Sequence, residues 1–131
     1  MTTVITFGTF DVLHVGHLRV LARSRELGDR LVVGVSSDAL SFAKKERYPV
    51  FSQHERCELI ANLKCVDEIF VEESLELKRD YVQRYAADVL VMGDDWAGKF
   101  DDLADICKVV YLPRTPSVST TAVIEKIAGM V

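Results

Sequence analysis

Gly8-Thr9-Phe10-Asp11-Val12-Leu13-His14-Val15-Gly16-His17 is the stretch on which the fold turns. An apolar, β-branched run, Val4-Ile5-Thr6-Phe7, comes before it, and an amphipathic segment, Leu18-Arg19-Val20-Leu21-Ala22-Arg23, comes after. That order predicts strand, turn, helix, with both imidazoles in the first helical turn. Residues three apart on a helix point the same way. The free N–H groups and positive dipole end of a helix N-terminus favour anions, so His14 and His17 predict a phosphate site. Gly16 between them is expected to leave room for a ligand to approach the backbone. The plainer alternative is a pair of capping or surface histidines. A metal site is a third, but no nearby Cys or Glu-x-x-His completes a ligand set.

Outward from that stretch, apolar runs and helical patterns alternate. The expected strands are Val4–Phe7, Leu31–Ser36, Asp67–Val71, Asp88–Met92 and Val109–Leu112. Leu31-Val32-Val33-Gly34-Val35-Ser36 is almost continuously apolar, as suits a strand covered on both faces. Helices are expected over 15–27, from a capping box at Ser52 and Glu55 to about Leu63, over Leu75–Ala86, and over Ala122–Ala128 capped by Ser119 or Thr120. Ser41 to Phe51, with Lys44, Lys45, Arg47 and Pro49, reads as a mobile basic loop. The alternation predicts one α/β domain over 1–131, a doubly wound, five-stranded parallel sheet of Rossmann-like design in three layers, with right-handed crossovers. Ligands bind such sheets beyond the carboxyl ends of the strands, where strand order reverses.

Length and composition agree with this class. The chain has 131 residues, 49% hydrophobic and 27% charged, with a net charge of −4, an ordinary globular mixture. No basic tract suits nucleic acid, and Arg19, Arg23, Arg25 and Arg30 read as a solvated helix face. No run reaches the roughly 20 apolar residues that cross a bilayer. The start of the chain enters a strand directly, without a signal segment. Cys57, Cys65 and Cys107 are odd in number and lack Cys-x-x-Cys spacing, which predicts buried, reduced thiols in a cytoplasmic protein.

Three segments follow strands and are expected to meet at one edge: Gly8–His17, Met92–Asp101 and Pro113–Thr121. The last, with Arg114, Thr115, Ser119 and Thr120, has the makings of an anion cradle at a helix start; N-capping alone is the alternative. Asp94 and Asp95 suit Mg²⁺ or a ribose and base, or simply a solvated turn. Trp96 suits a base or the core. There is no P-loop, no Gly-x-Gly-x-x-Gly turn and no Gly-x-Ser-x-Gly elbow, and no cysteine is placed as a nucleophile. Direct displacement at phosphorus is the simplest remaining chemistry.

Gly8-Thr9-Phe10-Asp11…His14-Val15-Gly16-His17, Met92-Gly93-Asp94-Asp95-Trp96 and Arg114-Thr115-Pro116-Ser117-Val118-Ser119-Thr120-Thr121 together resemble the signature elements of the cytidylyltransferases, within the nucleotidyltransferase superfamily. The likeness runs nearly end to end. It implies CMP transfer from CTP to sn-glycerol 3-phosphate by a homodimer, with Mg²⁺ accompanying CTP and neither nucleic acid nor membrane as partner. By the same resemblance His14, His17, Lys44 and Arg114 are catalytic. Thr9, Phe10, Asp95, Trp96, Thr115, Ser119 and Thr120 hold the nucleotide, and Asp11, Asp38 and Arg56 belong to the active site and acceptor. Arg56 is the expected partner of the acceptor's phosphate, with a solvated helix residue beside the capping box as the alternative. Lys45 or Arg47 can replace Lys44, because the loop spacing departs from the family pattern. A same-fold enzyme with another nucleotide or phosphorylated acceptor stays open, as does a nucleotide-binding module without catalysis.

Overall fold

The computed structural model describes residues 1–114 and 118–131. Five strands form one parallel sheet: β1 Thr3–Gly8, β2 Arg30–Ser36, β3 Glu68–Glu72, β4 Val89–Gly93 and β5 Lys108–Leu112, in the order β3-β2-β1-β4-β5. The chain therefore winds outward from β1 in one direction and then in the other. The reversal lies between β1 and β4, where the loops leaving the two strands diverge and open a crevice.

Both sheet faces are covered, which explains the continuous apolar strands. Val4, Leu31, Val33, Val35, Val89 and Val91 pack on one side with Leu21 of helix α1 (Val15–Glu26) and Ile60 of helix α3 (Gln53–Ala61). Ile5, Phe7, Val32, Leu90 and Met92 pack on the other with Tyr81 and Val82 of helix α4 (Lys78–Arg84) and with Leu103. Helix α5 (Thr120–Ala128) closes the chain, capped by Ser119, whose Oγ accepts from Ala122 N–H at 3.0 Å.

The expected loop from Ser41 is in part a helix. Helix α2 runs Asp38–Lys45, with the Ser37 side chain accepting from Leu40 N–H and Glu46 ending it at φ 59°. Ser37, which directly follows β2, is the N-cap of this helix, a residue type well suited to start one. The helix expected over Leu75–Ala86 is divided: a 3₁₀ turn, Leu75–Leu77, precedes α4. The three cysteines are free but half-buried rather than buried. No helix among the described residues is long and apolar enough to cross a membrane.

Candidate functional site

A cleft of about 590 Å³ opens at the switch point, lined by the loops after β1, β4 and β5 and by the end of α2. Of the residues expected there, Thr9, Phe10, Asp11, His14, His17, Lys44, Asp95, Trp96, Arg114, Ser119 and Thr120 line it, while Asp38 and Arg56 do not. Thr115 lies outside the described residues. Lys45 and Arg47 also face the cleft, so four cations meet two carboxylates there, although the whole chain carries −4. A site with that local excess draws anions.

The histidines are caps and donors at once. His14 is the N-cap of α1: its Nδ1 accepts from Gly16 N–H at 3.0 Å, and His17 Nδ1 accepts from His14 N–H at 3.2 Å. A ring nitrogen that accepts from a backbone N–H carries no proton, so each neutral ring is protonated at Nε2. The rings stack with centroids 3.8 Å apart, and both Nε2 atoms converge on Thr120 Oγ1, at 3.4 and 3.5 Å. Thr120 gives its own proton to Asp11 O at 2.9 Å, which leaves its oxygen as a shared acceptor. Two N–H donors aimed at one oxygen position can hold an anionic oxygen.

Electrostatics keep this pair neutral. Burial pushes His17 down from its ordinary 6.5 to about 4; His14 and Lys45 lower it too, while Asp11 opposes. Burial also lowers His14. Two stacked imidazolium ions would repel and would break both caps, so near neutral pH the site offers uncharged Nε2–H groups.

Gly16 lines the cleft in a closely packed turn. It is buried, and a Cβ there would stand 2.8 Å from His14 Cε1 and 3.0 Å from Val118 Cγ1. The missing side chain keeps room for the His14 ring beside the cleft that Gly16 also lines. Phe10 likewise contributes only main chain, because its ring is buried against Gly8 and edge-on to His17. The turn that carries it is strained: Phe10 and Val12 lie at φ 54° and 49°, a costly conformation for a β-branched residue such as Val12.

Asp11 holds that turn in place. Its carboxylate accepts from Val50, Phe51 and Val12 N–H at 2.7, 2.9 and 3.0 Å, which ties the β1 loop to the segment after α2. Arg56 completes the lock and corrects the expectation of an acceptor-binding guanidinium. It is fully buried, and donates to Thr9 O, Ser36 O, Phe51 O and Asp38 Oδ1 at 2.8 to 3.0 Å. Asp38 in turn exchanges hydrogen bonds with Gln53. Sequence shows an arginine on a helix beside a cap, and only long-range packing shows that four of its five N–H donors are engaged inside the protein.

Across the cleft, exposed Arg114 pairs with Asp95 at 3.3 Å. Trp96 packs beside Phe100 and Lys99 while lining the cleft; Asp94 is exposed in the 3₁₀ turn Asp94–Trp96 and does not line it. Lys44 Nζ donates to Ser36 Oγ at 3.0 Å and to Thr9 Oγ1 at 3.5 Å. Asp67 stands at the far edge of the sheet, accepting from Leu31 N–H and paired with Arg25. Cleft residues that the sequence did not single out are Val20, Ser41, Tyr48 and Leu112; none sits in a recognisable motif, and only Tyr48, in the basic segment, carried a hint.

Paired imidazoles, basic side chains and an aromatic at the switch point of a parallel sheet make this cleft the candidate site of a doubly wound α/β protein. The chain matches the cytidylyltransferase-like family over residues 5–126 and belongs to it. It is 45% identical over 130 residues to a glycerol-3-phosphate cytidylyltransferase of Bacillus subtilis, covering 99% of this chain and all of that one. The counterpart of the same description in Staphylococcus aureus is 40% identical, covering 98% and 97%. Among solved structures, a lipopolysaccharide core biosynthesis protein from Thermoplasma volcanium superposes with a TM-score of 0.74 at 29% identity, over 88% of this chain and 98% of that one.

Proposed function

We propose that this chain transfers CMP from CTP to sn-glycerol 3-phosphate, giving CDP-glycerol and pyrophosphate. The observation that carries the proposal is the convergence of His14 and His17 Nε2–H on one oxygen position in a basic cleft, in a chain whose full-length relatives bear that name. An oxygen of the acceptor's phosphate attacks the α-phosphorus of CTP. The bond from that phosphorus to the bridging oxygen breaks, and pyrophosphate leaves. No protein nucleophile is needed. The protein positions two reactants and stabilises charge on the phosphoryl oxygens, which is how such transfers are accelerated.

Each residue then has a task. His14 and His17 donate Nε2–H to the triphosphate in the place that Thr120 Oγ1 now fills. The main chain at Thr9 and Phe10 and the start of α5 at Ser119 and Thr120 border the phosphates. Arg114 exchanges Asp95 for phosphate from the opposite wall, and Trp96 lies where the base enters. With Arg56 buried, Lys44, Lys45 and Arg47 are the cations open to the acceptor's phosphate. Among the described residues no three His, Cys, Asp or Glu side chains gather to hold a metal, and both Asp11 oxygens already accept from N–H groups. Mg²⁺ therefore belongs to the proposal as the companion of CTP, with no residue of this chain assigned to it. The same reading carries a homodimer, which sedimentation of the purified protein tests.

Pyrophosphate release from each nucleoside triphosphate, with a panel of phosphorylated acceptors, tests the substrates. Turnover is expected with CTP and glycerol 3-phosphate. Turnover only with ATP, or only with a choline, ethanolamine, sugar or flavin phosphate, overturns the assignment. Binding of CTP with no turnover on any acceptor would make the chain a nucleotide-binding module instead.

A further inference from the structure

We infer that Ser36, Glu72 and Lys78 form a buried positioning relay that fixes the charge and direction of Lys44 in the cleft. Ser36 and Glu72 end adjacent parallel strands and face each other in register. Glu72 is 1% exposed and Lys78 is 4% exposed, a rare fate for either residue type unless paired. Lys78 Nζ donates to Glu72 Oε2 at 2.6 Å, and the ammonium also lies 4.0 Å from the Phe7 ring centroid and 5.1 Å from that of Phe100.

An isolated ion pair would stop there. Instead the other carboxylate oxygen, Oε1, takes the Ser36 hydroxyl proton at 3.2 Å, and Ser36 Oγ accepts from Lys44 Nζ at 3.0 Å. A hydroxyl has one proton. With that proton directed at Glu72, the Ser36 oxygen is left as an acceptor facing the cleft lysine, so one buried carboxylate serves two ammonium groups. Three further groups reach Lys44. Burial lowers its pKa most; Glu72 on β3 raises it, while Lys78 on α4, Lys45 on α2 and Arg56 on α3 lower it, in decreasing order. Among the described residues Glu72 is thus the charged group that favours the charged form of Lys44, and Lys78 moderates it.

The consequence is a lysine held in a desolvated wall, linked through Ser36 to the Glu72 carboxylate and aimed beside Thr9. Its service to a phosphoryl group rests on the cytidylyltransferase reading; the relay itself does not. Protein labelled with [ε-¹³C]lysine, titrated by NMR with Lys44 assigned by its loss in Lys44→Arg, reads the relay directly. Glu72→Gln is expected to lower the Lys44 titration midpoint by about one pH unit, and Lys78→Met to raise it by less. The double variant Glu72→Gln/Lys78→Met removes the buried pair without leaving either charge alone. It is expected to fall between Glu72→Gln and wild type, and it carries the test should Glu72→Gln fail to fold. In the same order, the alkaline limb of kcat/KM for CTP moves down, up and slightly down. A Lys44 midpoint unmoved in these variants, or moved the same way by Lys78→Met and by loss of Glu72, overturns the relay. Midpoints in the expected order in a protein that releases no pyrophosphate from CTP and glycerol 3-phosphate would leave the relay standing and the substrate assignment refuted.

Discussion

His17→Asn separates the two tasks of a single side chain. In the structure His17 Nδ1 accepts from His14 N–H, while Nε2–H is aimed at the oxygen position held by Thr120. The Asn amide oxygen reaches about as far as Nδ1 and keeps the cap; nothing in Asn reaches the place of Nε2. Loss of one preorganised donor to a developing anion lowers turnover about 100- to 1,000-fold, or roughly 3–4 kcal/mol of transition-state stabilisation. His17→Ala loses the donor and the cap, and so adds about 1 kcal/mol of lost folding stability. Steady-state pyrophosphate release with CTP and glycerol 3-phosphate gives kcat, and urea unfolding gives stability. The expected pattern is equal loss of kcat in both variants, with stability lost only in His17→Ala. A His17→Asn enzyme within about threefold of wild-type kcat would remove Nε2–H from the mechanism.

The depressed pKa of His17 makes stability depend on pH. Its folded value of about 4 lies below its ordinary 6.5, so the unfolded chain binds the extra proton first as pH falls. Stability is complete above about pH 6.5 and declines by about 3 kcal/mol toward pH 4; urea unfolding across that window is expected to show the decline, and His17→Asn to flatten it. Gly16→Ala is expected to leave stability nearly unchanged, because the gain in helix propensity of about 1 kcal/mol offsets the crowding of His14. Its turnover is expected to fall at least tenfold as the displaced ring loses its aim, and unchanged kinetics would show that the ring tolerates the added methyl. Arg56→Met leaves the carbonyls of Thr9 and Ser36 without their buried donor, so a loss of about 3 kcal/mol is expected, measured by thermal and urea unfolding. The Michaelis constants for CTP and glycerol 3-phosphate should rise together; a rise confined to the acceptor would restore Arg56 as its ligand.

What the sequence disclosed, and what it did not, follows from the range of the interactions involved. The strands are legible because a face covered on both sides demands unbroken apolar runs, and Val4–Phe7 and Leu31–Ser36 supply them. Joining those runs by helical patterns leaves few topologies beyond a doubly wound parallel sheet, and the loops after β1, β4 and β5 then meet at one rim. Chain order alone therefore brings the histidine pair and Arg114 to one cleft. Helix α2 was missed because its signal is one serine at the end of a strand. The inward-facing roles of Asp38 and Arg56 escape local reading for another reason: a charged side chain carries no local sign of whether its partners are phosphate or backbone. Arg56 meets Thr9 and Ser36 from 47 and 20 residues away, and Glu72 meets Ser36 from 36. Gly16 shows the same limit at short range, since the crowding of its position by the His14 ring is visible only in the folded turn.

A crystal structure with a non-hydrolysable CTP analogue bears most directly on the claim that two neutral imidazoles and the basic walls grip one triphosphate. Phosphate oxygens are expected within about 3.2 Å of both His14 Nε2 and His17 Nε2, with Arg114 turned from Asp95 onto the same triphosphate. A triphosphate seated away from the imidazoles, or rings that bind it through Nδ1 with the caps of α1 broken, would contradict the account.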